Sequence, residues 1–183
     1  LAHSILLTLI GSPTIYYGDE IGMGDNIWLD DRNGVRTPMQ WDNTPNGGFS
    51  TAPAEKLYAP LISDETYGYQ RLNATAQQKD PESFLNWLKS VIRIRRQYPA
   101  FGNGSLHLLD VQNGAILAFT RQNDEQTLLS INNLSAQPQT FSLTPLQGRT
   151  LTPILGTLNA SDESGSITLP GFGFAWFKVD GKI

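Results

Sequence analysis

After Gly102 the sequence breaks into short runs in which apolar and polar residues alternate: Ser105–Leu109, Ala115–Arg121, Gln126–Asn132, Gln139–Leu143, Arg149–Ile154, Ser166–Leu169 and Ala175–Val179. Alternation with a period of two is the mark of a strand with two different faces. Turn-forming clusters separate the runs, and Asn113-Gly114 is a hairpin signal just before the second. Seven short strands at this spacing predict an antiparallel β-sandwich. Thr, Ser and Gln at alternate positions predict that some strands face water on one side. Phe172, Phe174, Trp176 and Phe177 read as its core. The spacing places a domain boundary near Asn103.

Upstream of that boundary the pattern is different. Leu1–Ile10 is apolar almost all round, as in the end of a helix covered by protein, and Gly11 and Pro13 stop it. Thr14-Ile15-Tyr16-Tyr17 follows as a short run of β-formers. Helix, tight turn and strand together predict an α/β unit, which needs neighbours to complete a sheet. From Gly18 to Thr66 no period is sustained, and Gly, Pro, Asn and Asp are dense. This long loop holds Trp28, Trp41, Phe49 and Tyr58, which predicts a packed substructure. Asp80-Pro81-Glu82 then supplies an N-cap, a first-turn proline and a first-turn acid. A helix over Pro81–Tyr98 is expected, with Phe84, Leu88, Val91 and Ile92 on one stripe and Pro99 and Gly102 ending it.

Composition narrows the function. A net charge of −4 offers no basic patch for nucleic acid and no polybasic run for a membrane surface. The apolar start lacks the basic leader of a signal peptide and is too short to span a bilayer. The missing initiator methionine points to a chain taken from something longer. With no cysteine there are no disulfides or thiolate-bound metals, which fits a reducing, cytoplasmic setting. Asp19-Glu20 cannot flank one bond, since neighbours on an extended segment point apart; they read as hydrogen bonders of the loop and rim. Asp25, Asn26, Asp30 and Asp31 could offer oxygens to calcium, but without a calcium-loop pattern they read as a solvated turn. Trp28 and Trp41 could stack on a sugar ring but read first as buried loop anchors, and Met39 and Gln40 read as packing and loop hydrogen bonding.

The string from Gly11 to Met23, GSPTIYYGDEIGM, resembles the eighth strand of the α-amylase superfamily of glycoside hydrolases. Asn33–Asp42, NGVRTPMQWD, resembles a loop of its oligo-1,6-glucosidase and trehalose synthase branches, and the pairing of Gly18–Asp25 with Asp31–Arg36 most resembles the latter. Leu169–Phe177, LPGFGFAWF, is similar to the last strand of that family's C-terminal domain. The resemblance implies an α+β chain: the last β/α unit of a (β/α)8 barrel over residues 1–102, then an all-β C-terminal domain over 103–183. Thr14–Tyr17 would be the eighth strand, with the catalytic face just beyond it.

Retaining glycosidases need two carboxyl groups about 5 Å apart. In the family these sit on earlier strands, and no segment here matches them, so the resemblance implies no catalytic residue in this chain. His3 is followed by serine and does not match the family's Asn-His-Asp segment. The resemblance gives Arg36 a substrate-binding role near the leaving sugar, and Arg32 a place at the gate of the same pocket. A guanidinium suits hydroxyls or a carboxylate in fixed geometry; a salt bridge from Arg36 to Asp31 or Asp42 is the alternative. The implied reaction of the whole enzyme is maltose-to-trehalose isomerisation, or hydrolysis of α-glucosides, with an α-glucoside as partner and no cofactor or metal. For the β-domain, glucan binding and a purely bracing role are the other readings. One barrel unit without neighbours exposes apolar faces, which predicts a homo-oligomer of the chain alone.

Overall fold

The alternating runs form strands close to where the sequence puts them. The structure, a computed structural model, describes residues 1–156 and 166–181. Its strands are β1 (Ser105–Leu109), β2 (Ile116–Gln122), β3 (Thr127–Asn133), β4 (Gln139–Ser142), β5 (Leu151–Gly156), β6 (Ser166–Leu169) and β7 (Phe174–Val179). β1-β2-β3-β7-β5 make a five-stranded antiparallel sheet, and β4-β6 a two-stranded one. Between them lies one apolar core. Ala118, Leu129, Ile131, Ala175, Phe177 and Val179 come from the large sheet, and Phe141, Ile167 and Leu169 from the small one. This is the expected sandwich.

The helices are α1 (Ala2–Thr8), α2 (Ala74–Lys79), α3 (Phe84–Arg96) and α4 (Ala100–Asn103). The chain divides into two compact units, Leu1–Pro13 with Val91–Ile183, and Thr14–Ser90. None of the helices among the described residues is long and apolar enough to cross a membrane.

In the first unit the far face of the large sheet departs from expectation. Leu128, Ser130 and Asn132 of β3 alternate with its core residues and so lie on this face, yet all three are fully buried. They do not meet water because α1 and α4 cover them. Ser4 Oγ donates to Asn132 Oδ1 (2.8 Å) and accepts from Trp176 Nε1 (2.9 Å). Thr8 Oγ1 lies 3.2 Å from Ser130 Oγ. Polar residues on that face pair with hydroxyls of a short helix, which satisfies both sides of a dry seam. Trp176 also packs on Phe101 of α4, with ring centroids 5.0 Å apart.

Arg121 closes the seam. It is fully buried, and its guanidinium meets carbonyls instead of an acid. Nη1 donates to Thr8 O and Leu9 O, each at 2.7 Å. Nε and Nη2 donate to Gly104 O at 3.2 and 2.9 Å. Thr8 and Leu9 end α1, where carbonyls lack helical partners and the dipole is negative. Arg95 Nε takes the preceding carbonyl, Leu7 O, at 2.7 Å. Burial, and then the charge of Arg95, pull the Arg121 pKa below its usual value. The group stays charged, since arginine does not deprotonate in proteins.

Several local expectations need correcting. Among the described residues no strand pairs with Thr14–Tyr17, and the Tyr16 carbonyl and amide serve a turn with Asp19. α3 begins at Phe84, not Pro81, and ends at Arg96. Ser83 caps it, accepting Asn86 N on Oγ (3.3 Å) and Trp87 N on its carbonyl (2.9 Å). Asp80 instead ends α2, a helix that the sequence pattern does not announce. Phe172 is half exposed, at positive φ, and is not core like Phe174, Trp176 and Phe177.

Replacing Arg121 by Met is expected to cost about 3 kcal/mol, because three buried carbonyls lose a charged donor. Lysine should restore only part of this, since one ammonium cannot span the sites that a planar fork reaches. Equilibrium urea unfolding of the three proteins checks both statements.

Candidate functional site

The loop that follows Tyr17 is built from tight turns held by side-chain contacts to backbone. Gly18 sits at φ 93°, in the left-handed region that suits glycine. Glu20 Oε2 accepts Gly18 N (2.7 Å), and Asp19 Oδ2 accepts Tyr16 N (2.9 Å). Both carboxylates thus hydrogen-bond the loop, as the sequence reading expected, and each closes its own turn. The turn drops Ile21 into a small core with Met39, Ala74 and Leu85. Gln77 of α2 braces it, donating to Ile21 O (2.6 Å) and accepting Leu85 N (2.9 Å).

The next segment, Met23–Asn26, runs against the 3-10 turn Asp31–Arg36. Asn26 N donates to Gly34 O at 3.2 Å. Gly34 is buried so closely that an added Cβ would lie 2.1 Å from Asp25 Oδ1 and 2.6 Å from Asn26 O. This contact is a physical reason for the pairing of the Gly18–Asp25 and Asp31–Arg36 strings. Asp25 therefore packs on the turn. Asn26 Oδ1 accepts Trp28 N at 3.2 Å.

Beyond the turn, Thr37, Met39 and Gln40 are buried. Gln40 Nε2 donates to Tyr67 O and Leu72 O. The carbonyls of Gln40 and Trp41 accept Ala74 N and Thr75 N, both at 2.9 Å, and so satisfy the first amides of α2. Asn73 Oδ1 caps the same helix, accepting Ala76 N at 2.8 Å. The packing role expected for Met39 and Gln40 is what these contacts describe. Asp42 is held by the hydroxyl and then the amide of Thr44, which lower its pKa.

The two candidate arginines differ in their surroundings. Arg32 Nε lies 3.6 Å from Asp31 Oδ2, an exposed pair of the kind that adds little stability. Arg36 is exposed, and among the described residues its guanidinium has no ion pair or hydrogen bond, with Asp31, Asp42 or any other group. Its backbone is held instead. Tyr58 Oη donates to Arg36 O, and Tyr17 Oη to Thr37 O at 3.0 Å. Burial, and then Tyr58, push the Tyr17 pKa far up.

Tyr17 and Tyr58 also line an open recess of about 310 Å³ with Glu20, Met39, Trp41 and Phe49. A second recess, of about 500 Å³, is bordered by Asp25, Trp28, Ile62, Asp64 and Tyr67. Neither arginine borders either one. The tryptophans overturn the buried-anchor expectation: Trp28 is 88% exposed and Trp41 51%. The backbones beside them take the anchoring hydrogen bonds, which leaves the indoles outside. Sequence reasoning noted Tyr58 only as one of several loop aromatics, with no sign that its hydroxyl reaches back to Arg36.

Residues 1–104 match the sequence model of the alpha amylase catalytic domain, and residues 106–176 that of the maltogenic amylase C-terminal domain. The chain belongs to the alpha-amylase family. Its fold is the end of that catalytic domain followed by the antiparallel β C-terminal domain. It is 45% identical over 187 residues to a trehalose synthase/amylase of Mycobacterium tuberculosis, covering 98% of this chain and 31% of that protein. It is 44% identical over 188 residues to a trehalose synthase of Pimelobacter sp., covering 98% and 33%. Among solved structures, the trehalulose synthase of Pseudomonas mesoacidophila superposes with a TM-score of 0.82 at 26% identity, over 98% of this chain and 37% of that one. Variants of that trehalulose synthase have been solved with glucose and with isomaltulose. The chain thus spans about a third of the length of the relatives it matches.

Gly34→Ala is expected to destabilise the chain by about 1–3 kcal/mol, since its Cβ meets backbone as well as a carboxylate. Gly102→Ala is the control. It has open space in α4, and its effect should be slightly stabilising. Thermal unfolding of the two variants checks the contrast.

Proposed function

We propose that this chain is the C-terminal portion of a trehalose-synthase-like enzyme that isomerises maltose to trehalose with retention. The observation that supports this reading is the 45% and 44% identity to trehalose synthases across nearly the whole chain. In the proposed reaction a carboxylate of the longer enzyme displaces glucose from the anomeric carbon of maltose. A second carboxyl group protonates the departing O4. The freed glucose turns, its anomeric hydroxyl attacks the glucosyl-enzyme, and the second group takes that proton back. Water must be kept out, or hydrolysis wins.

In this reading the barrel portion runs to about Gly102 and the β-domain begins near Asn103. The loop from Gly18 to Asp42 forms part of the pocket rim. Arg36 contacts the leaving sugar, for which an exposed guanidinium without a protein partner is suited, and Arg32 stands at the gate. The chain contributes binding groups and no catalytic carboxylate, and it works without a cofactor in the cytoplasm. Left alone it associates with copies of itself, because Ile10, Tyr16 and Trp28 are exposed.

Incubating maltose with the full-length enzyme that contains this chain should yield trehalose with minor glucose. Glucose as the sole product would replace the isomerase with an α-glucosidase. The isolated chain should turn over no maltose, and light scattering should find it larger than a monomer.

A further inference from the structure

We propose that Tyr58, with Tyr17, is a positioning residue for Arg36, setting how tightly the leaving sugar is held and not how fast its bond breaks. The inference rests on the reading in which Arg36 contacts that sugar. Among the described residues no group holds the Arg36 guanidinium, and what these residues fix is its backbone. That backbone is held from three separate segments. Gly34 O accepts Asn26 N, Arg36 O accepts the Tyr58 hydroxyl, and Thr37 O accepts the Tyr17 hydroxyl. The two tyrosines act where the chain leaves the 3-10 turn: Thr37 is already extended, at φ −64° and ψ 159°. Pro38 follows it and has no amide to add a further tie.

The two phenols suit this task. Each is a donor toward a carbonyl, and the raised pKa of Tyr17 keeps it protonated through the neutral range. Each ring is packed against a neighbouring aromatic. Tyr16 lies 4.6 Å from Tyr17, and Phe49 lies 6.1 Å from Tyr58, measured between centroids. Tyr58 is 66% exposed, so a core role does not account for it. Losing one hydroxyl leaves the rings packed and frees one carbonyl, which widens the arc that the Arg36 side chain sweeps. A group that binds the ground state and the transition state alike changes KM with little change in kcat.

The test uses the full-length enzyme that contains this chain, with maltose as substrate. Tyr58→Phe should raise KM about three- to tenfold, as expected for one hydrogen bond, and leave kcat within about twofold. The inhibition constant of glucose should rise in parallel. In an Arg36→Ala background Tyr58→Phe should add nothing, whereas a merely structural tyrosine would cost as much there as in the parent. Tyr17→Phe carries the same comparison should Tyr58→Phe fold poorly by thermal unfolding. If Arg36→Ala leaves KM unchanged, the substrate role of Arg36 is lost. If Arg36→Ala raises KM while the tyrosine variants are silent, or add fully to it, only the positioning role is overturned.

Discussion

A buried cation that, among the described residues, is met by carbonyls and no acid constrains the larger unit. Arg121 must be charged, and a charge taken from water is tolerated only when its donors are met. Five N–H groups in a fixed plane cannot be met by strands alone. Four of them are met where the end of α1 brings two carbonyls and the entry to β1 brings a third. The helix needs donors at its C-terminus and the sheet needs acceptors for its arginine, so each satisfies the other. Once α1 is fixed there, Ser4 and Thr8 fall over Asn132, Ser130 and Trp176. The polar face of the sheet then becomes an interior. Part of the first stretch of sequence thereby belongs structurally with the last ninety residues.

The loop unit solves the problem of order differently. It has no sheet, and its helices are α2 and the first half of α3. A chain of this kind stays fixed only if buried backbone groups find partners one by one. Gln40, Gln77 and Asn73 do this from side chains, while Gly34 does it by letting two segments approach. Most of these bonds link loop positions well apart in sequence. The loop is therefore a folded object whose exposed edge carries Arg36, Trp28 and Trp41.

These two strategies explain what could be read from the sequence. The strands were legible because alternation is local, and each lies within about two residues of its expected limits. Which face met water was not legible, because Ser130 and Asn132 look the same under a helix as under solvent. α2 was missed because Ala-Thr-Ala-Gln-Gln-Lys has no apolar stripe; its one signal was Asn73 as N-cap. Asp80 and Pro81 carry every mark of a helix start, yet Ser83 takes the cap three residues on. Thr14–Tyr17 has strand composition, but pairing is a property of two chains, not one. In the candidate site, Asp19 and Glu20 were legible as hydrogen bonders of the loop, but not the turns that each one closes. The exposure of Trp28 and the free guanidinium of Arg36 were not, because both depend on contacts that the chain could have made and did not.

The distribution of acids separates what this chain supplies from what it does not. Bond cleavage with retention needs two carboxyl groups that face each other across a gap of about 5 Å. Glu20 lines the tyrosine recess, and Asp19 and Asp42 are sequence neighbours of its lining residues Glu20 and Trp41. Asp19, Glu20 and Asp42 each accept a backbone amide from their own turn, at 2.9, 2.7 and 2.8 Å. A carboxylate committed to a turn amide is oriented by that turn and not toward a substrate bond. For Asp42 the hydroxyl and the amide of Thr44 also lower the pKa, the opposite of what a general acid needs. The groups left unspent are cationic and aromatic, the types that grip a sugar without cutting it. In the proposed reading these groups supply shape and grip, and the carboxyl groups that cut come from the longer enzyme.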